Sequence, residues 1–161
     1  MEIFEVDKEN LEKVYANNED TSEFALRRIK FDLSMFDNSL VDMKYLWVMD
    51  KKEYAGQGII VFKDTRSETE FEYEKELLNL PNCALIKNCY IEEPFRGRGY
   101  FSILFDYMVK LAKAKGIKRL CLSVTKENEV AQKIYLHLGF IIFGERIYND
   151  IGHALLMYKD L

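Results

Sequence analysis

Two short stretches hold residues whose types and spacing could do chemistry. In the first, Arg96-Gly97-Arg98-Gly99 stands just ahead of a helical pattern. The first amides of a helix lack internal partners and, with the helix dipole, favour an anion, while glycines let the backbone approach it closely. In the second, Asn128-Glu129-Val130-Ala131-Gln132-Lys133-Ile134-Tyr135-Leu136-His137-Leu138-Gly139-Phe140, a phenol follows an amide by seven residues. That is about two helical turns, so Asn128 and Tyr135 share a face and can point toward one ligand. Each stretch also has an ordinary structural explanation. The first would be a strand-to-helix turn, and the second a helix with Asn128 as N-cap, Tyr135 in the core and Gly139 as C-cap.

Charge favours the anion-binding explanation of the first stretch. Arg96 to Arg119 carries seven basic residues and one acid, Asp106, a surplus of +6; the 16 basic and 26 acidic residues elsewhere leave −10. A P-loop pattern GxxxxGK[ST] is absent. A dinucleotide fingerprint would need a third glycine where Ser102 stands and an acid where Ile117 and Lys118 lie. What remains is a diphosphate or similar group held by backbone amides.

Elements must position these stretches. Asp7 to Ser34 reads as two helices. Lys44 to Phe62 reads as a β-hairpin turning at Asp50 to Glu53, with Gly56 and Gly58 marking a bulge or close approach. Asp64 to Leu80 is acidic, with Glu68, Glu70, Glu72, Glu74 and Glu76, and reads as a solvated insertion holding a short helix before Pro81. Cys83 to Ile91 is a strand. Tyr100 to Lys115 sets Phe101, Leu104, Phe105, Met108, Leu111 and Ala112 on one helical stripe that Gly116 closes. Arg119 to Val124 is a strand. Asn128 to Leu138 is a helix with Val130, Ala131, Ile134, Tyr135 and Leu138 on one side. Phe140 onward and Ala154 to Tyr158 are closing strands.

Composition sets bounds. A chain of 161 residues with 48% hydrophobic and 31% charged residues fits one globular domain and excludes collagen-like, disordered and repeat architectures. Cys83, Cys89 and Cys121 form no CxxC pair, and with His137 and His153 alone there is no zinc or haem spacing. Free buried thiols and no metal are expected. The acidic start lacks the character of a secretory signal, and no apolar run reaches the roughly 20 residues of a membrane span. A cytoplasmic protein without membrane or nucleic-acid partners is expected.

The two motifs in this order, with a strand between them, resemble the GCN5-related N-acetyltransferase (GNAT) family: an R/Q-x-x-G-x-G/A loop, then N-x-x-A-x-x-x-Y-x-x-x-G-F. The second pattern matches at every named position, and the first departs once, with Phe101 at its last place. The resemblance covers Cys83 to Leu161 well and the first half only by the order of elements. It implies an α/β (α+β) fold with a mixed, mostly antiparallel central sheet flanked by helices, the acyl-CoA N-acyltransferase fold, as one domain over residues 1–161. It also implies acetyl-CoA as cosubstrate, without metal. Ile91 would meet the pantetheine arm, and the amides of Arg96, Gly97, Arg98, Gly99, Tyr100, Phe101 and Ser102 would cradle the diphosphate. Asn128 would touch the pantetheine, and Tyr135 would give its proton to the departing thiolate. Glu92, with Glu93 beside it, is the candidate base and His153 the second, since Ser123 stands where some members carry an acid. His137 is expected to be solvated.

The activity this implies is acetyl transfer to a primary amine by direct attack in a ternary complex. The acidic first half suggests a cationic acceptor, peptide or polyamine, and a homodimer stays open. Alternatives are a module that holds coenzyme A without turnover, a cysteine hydrolase built on Cys89 or Cys121, and a nucleic-acid binder using the Arg96 to Arg119 patch.

Overall fold

The computed structural model describes residues 1–10, 39–66 and 71–161. Most of the two helices expected over Asp7 to Ser34 lies outside them. Only Lys8 to Asn10 is described, a helical start where the Asp7 carboxylate accepts the Asn10 amide at 2.8 Å. Seven strands make one sheet: β1 (Glu2–Val6), β2 (Val41–Asp50), β3 (Glu53–Asp64), β4 (Cys83–Ile91), β5 (Arg119–Thr125), β6 (Ile141–Tyr148) and β7 (Gly152–Asp160). Their order is β1-β2-β3-β4-β5-β7-β6, antiparallel throughout except for β4 beside β5. Three helices are described: α1 (Glu72–Leu78), α2 (Tyr100–Ala114) and α3 (Glu129–His137).

Strand alternation divides the core between two faces. On one, Leu46, Val48, Ile60, Ile86, Ile91, Leu120 and Leu122 pack against Leu104, Phe105, Met108 and Ala112 of α2. These four are the expected stripe, with Phe101 and Leu111 partly covered at its margin. On the other face, Tyr45, Trp47, Ile59, Leu85 and Leu156 pack with Leu77 of α1.

The acidic segment departs from expectation. Glu68 and Glu70 lie outside the described residues, but α1 is docked rather than solvated. Leu77 is fully buried, and Glu74 pairs with Lys87 of β4 inside the protein. The Glu76 carboxylate accepts from Arg146 at 3.0 Å and from the Tyr148 hydroxyl at 2.6 Å, while Glu72 accepts the Asn149 amide at 3.0 Å. Distant partners take up these charges, with Glu74 alone fully buried, and local charge density cannot reveal them.

The strand that matters most is β4. Gln57 pairs with Tyr90 and Ile59 with Lys87, so β4 spends one more residue than β3 between these points. This is a bulge, with Asn88 at φ 51°. The sequence put the signal on the glycines of β3, and they are what the bulge needs opposite it. A Cβ on Gly58 would stand 2.3 Å from Met108 Cε and 3.1 Å from Cys89 Sγ. Pairing with β5 covers only Cys83 to Leu85 against Arg119 to Cys121. Beyond this, β4 runs on to Ile91 and β5 to Thr125, so the two strands part and leave a gap in the sheet.

The Cys83 and Cys121 sulfurs are bonded across these two strands, correcting the expectation of three free thiols. Their Cα atoms are 6.5 Å apart, within disulfide reach. Cys89 alone is a free cysteine among the described residues.

Candidate active site

A cavity of about 530 Å³ lies at the gap, a size suited to a cofactor or small ligand. Three elements build it: Cys89, Tyr90 and Ile91 from β4; Phe95, Arg96, Gly97, Gly99, Tyr100, Phe101 and Ser102 from the turn into α2; and Asn128, Val130, Ala131, Ile134 and Tyr135 from α3. Both sequence motifs therefore meet in one place. Of the expected site residues, Arg98 and the base candidates Glu92, Glu93 and His153 are not part of the lining.

The turn presents backbone. Gly97 and Gly99 have φ of 74° and 78°, the left-handed region where a side chain is strained. Gly99 is the N-cap of α2 and, lacking a side chain, gives the first turn no capping bond; no acid stands in that turn either. The early amides of this 15-residue helix thus face the cavity with the helix dipole behind them.

The cations of the turn are used differently from what charge counting suggests. Arg96 Nε donates to the Ile91 carbonyl at 2.9 Å and fastens the turn to the end of β4. Arg98 lies 3.5 Å from Asp50, whose carboxylate also accepts the Tyr100 hydroxyl at 2.9 Å. Lys115 pairs with Asp42 and Arg119 with Asp160, so three cations of the patch have carboxylate partners. The anion-favouring character of the site comes from amides more than from side chains.

Helix α3 differs from its expected packing. Ala131, Tyr135 and Leu138 pack, partly buried, against the core, whereas Val130 and Ile134 are 72% and 40% exposed and wall the cavity. Asn128 Oδ1 accepts the Ala131 amide at 3.1 Å, so the side chain caps the helix while its Nδ2 retains donors.

Tyr135 is clamped by rings, edge-on to Phe101 at 6.1 Å and to Phe140 at 5.5 Å between centroids. Burial, with a smaller contribution from Cys89, raises its phenol above the ordinary value, so it stays protonated across ordinary pH. Burial pushes the Cys89 thiol up to about 12, against a weaker opposing hydrogen bond to the Ile59 backbone. With Cys121 disulfide-bonded and Cys89 held as thiol, the cysteine-hydrolase alternative has no nucleophile among the described residues.

The other base candidates stand apart. Glu92 donates its amide to the Ala55 carbonyl at 2.8 Å, one residue past the lining. His153 Nε2 is 3.6 Å from Glu145, and His137 is exposed. Ser123 Oγ is buried without a partner.

An uncapped helix start facing a cavity at a sheet gap, beside a helix that offers a capping amide and a phenol, can take an anionic ligand that carries an extended arm. The chain belongs to the Acetyltransferase (GNAT) family, whose sequence profile matches residues 9–140. An uncharacterised N-acetyltransferase, YycN, of Bacillus subtilis is 35% identical over 57 residues, 35% of this chain and 36% of that protein. A ribosomal protein bS18 alanine N-acetyltransferase of Haemophilus ducreyi is 33% identical over 57 residues, again 35% of this chain and 39% of that protein. The match thus spans little more than a third of either relative's length. PaiA N-acetyltransferase of Thermoplasma acidophilum, solved in complex with coenzyme A, superposes with a TM-score of 0.67 at 19% identity, covering 99% of this chain and 98% of that one. The likeness is one of fold. Among the described residues no helix is long and apolar enough to cross a membrane.

Proposed function

We propose that this chain is an N-acetyltransferase that moves an acetyl group from acetyl-CoA to a primary amine by direct attack in a ternary complex, as a single domain. The observation that carries the reading is the convergence of the uncapped α2 start, the Asn128–Tyr135 face and the β4–β5 gap on one cavity. The residues suit that cosubstrate. Amides from Gly97 to Ser102 would hold the diphosphate, and the exposed apolar side chains Val130 and Ile134 gain a reason for facing the cavity, since an aliphatic arm would cover them. Asn128 Nδ2 would donate to that arm.

Acetyl-CoA, when bound, supplies the thioester. Tyr135 would hold the proton that the departing sulfur takes as its C–S bond breaks and the C–N bond forms; the proton shed by the amine restores the balance. Glu92 remains the proposed base, acting through water because it stands outside the lining. The acidic balance of the chain supports a cationic acceptor, a homodimer remains an expectation for sedimentation to decide, and a cytoplasmic location is the reading from the sequence alone.

Titration calorimetry with coenzyme A and free-thiol release from acetyl-CoA over a panel of amines test this. Binding with turnover is the expected result. Binding without turnover on any amine favours the non-catalytic module, and no binding of any acyl-CoA removes the reading altogether.

A further inference from the structure

The turn into α2 is strung between two points of one hairpin. It leaves the sheet at Glu92, whose amide donates to the Ala55 carbonyl of β3 at 2.8 Å, and it ends at Tyr100, whose hydroxyl donates to the Asp50 carboxylate of β2 at 2.9 Å. Arg96 ties the middle to the Ile91 carbonyl. The backbone itself holds little. Gly97 and Gly99 are pliable, and among the described residues the amides from Gly99 to Ser102 donate to no backbone carbonyl. Amides kept open for an anion cannot also fix the turn. Side chains must fix it, and on the helix side the anchor is Asp50.

Two further observations bear on this anchor. Asp50 stands immediately before Lys51 and Lys52, whose φ of 48° and 76° close the hairpin in two residues, with Asp50 paired to Glu53. Such a reversal ordinarily takes Asn and Gly, and strained backbone of this kind persists where the surrounding structure holds it, often beside a functional site. Charge gives the second. The Asp50 side chain is 15% exposed beside a site for an anion, and it draws Arg98, 3.5 Å away, toward itself. On charge alone this carboxylate opposes the ligand. What it contributes is an acceptor for Tyr100.

Resting on the acetyltransferase reading above, we infer that Asp50 is a positioning residue for coenzyme A binding. It is absent from the cavity wall and acts through Tyr100, which is part of that wall and opens α2. The Tyr100 ring stacks on Phe95 with centroids 6.4 Å apart, and the Arg98 guanidinium lies 5.5 Å from the Phe95 centroid. Held at the ring by Phe95 and at the hydroxyl by Asp50, Tyr100 keeps the first turn of α2 aligned before the diphosphate arrives, so less ordering accompanies binding. Neither sequence motif includes Asp50, which stands 50 residues from Tyr100 and meets it only through the fold of the hairpin.

The test is a double-variant cycle read by titration calorimetry with coenzyme A, and by thiol release from acetyl-CoA and from S-acetylpantetheine, which lacks the diphosphate. Loss of a hydrogen bond to a charged group predicts that Asp50→Ala raises the coenzyme A Kd and the acetyl-CoA KM about tenfold, with kcat within about twofold of the parent. Asp50→Asn keeps an acceptor for the Tyr100 hydroxyl and should hold Kd within about threefold of the parental value. Tyr100→Phe, which keeps the ring on Phe95, should match Asp50→Ala, and the two together should cost no more than either alone. In Asp50→Ala, kcat/KM with S-acetylpantetheine should fall at least about fivefold less than with acetyl-CoA. Should Asp50→Ala fold poorly, the contrast between Tyr100→Phe and Asp50→Asn carries the prediction. Parental or tighter coenzyme A binding in Asp50→Ala or Tyr100→Phe, additive losses in the double variant, or an equal loss with S-acetylpantetheine overturns the inference while thiol release continues. Failure of the acetyltransferase reading shows separately: coenzyme A binds and its affinity responds to Asp50, but no amine prompts thiol release. A parent that binds no coenzyme A overturns both.

Discussion

Glu74 of α1 and Lys87 of β4 form an ion pair sealed from solvent, their side chains 3% and 7% exposed. Removing one partner of a buried pair strands the other charge, at a cost of about 3–5 kcal/mol. Glu74→Ala should therefore lower thermal stability by about 6–20 °C for a chain of this size. Joint replacement by Glu74→Leu and Lys87→Met should cost much less. Equal losses in the single and double variants, measured by calorimetry, would show that packing and not charge is what the pair contributes.

Tyr135→Phe keeps the ring between Phe101 and Phe140 and removes only the proton. Under the proposed role kcat falls by roughly ten- to a thousandfold while coenzyme A affinity barely changes. A variant that melts earlier yet turns over at the parental rate on the best acceptor makes Tyr135 a structural residue.

Replacing Gly99 tests the turn through its backbone. A Cβ there meets nothing within 4 Å, so the penalty comes from φ 78° and not from a clash. Gly99→Val should weaken coenzyme A binding by shifting the first amides of α2 out of line. Gly152→Val, also at positive φ but remote from the cavity, should cost stability without touching affinity. Equal coenzyme A affinities in the two variants would remove the turn from the phosphate site.

The Cys89 thiol, pushed up to about 12 from 9.0 chiefly by burial, sets a pH dependence. A folded-state value above the unfolded one means that stability is fully present below pH 9 and declines as pH rises toward 12. Tyr135 acts in the same sense above pH 10. Melting temperature should fall across that window, and Cys89→Ala should flatten the part between pH 9 and 10. An unchanged slope in the variant would assign the loss to the tyrosines.

The hairpin of β2 and β3 turns on Lys51 and Lys52, at φ of 48° and 76°. Left-handed backbone costs a non-glycine residue about 1–2 kcal/mol. Lys52→Gly should recover about 1 kcal/mol, offset in part by the freer unfolded chain. Urea denaturation reads the difference, and a destabilised variant would mean that the lysine side chain holds the turn.

Much of the architecture around the site is legible in the sequence, because α2 and β4 carry patterns that depend on neighbours three or two residues away. Leu104, Phe105, Met108 and Ala112 are buried as their spacing requires. The docking of α1 is not legible, since Lys87, Arg146 and Tyr148 come to its carboxylates from distant strands. Periodicity shows that Val130 and Ile134 share an apolar side but not whether protein or ligand covers it. The Cys83–Cys121 bond depends on the register of one short parallel pairing. Arg96 and Arg98 count by type toward a basic patch, yet distance gives their side chains to the Ile91 carbonyl and to Asp50.

The parting of β4 from β5 also has a price in hydrogen bonds. A sheet interior normally pairs every amide, whereas past Leu85 the side of β4 turned toward β5 has no ladder. In deuterium exchange this makes the middle of the sheet, ordinarily its slowest region, the place where protection divides along a single strand: amides turned to β3 exchange slowly, and those turned to the gap exchange freely until something fills it.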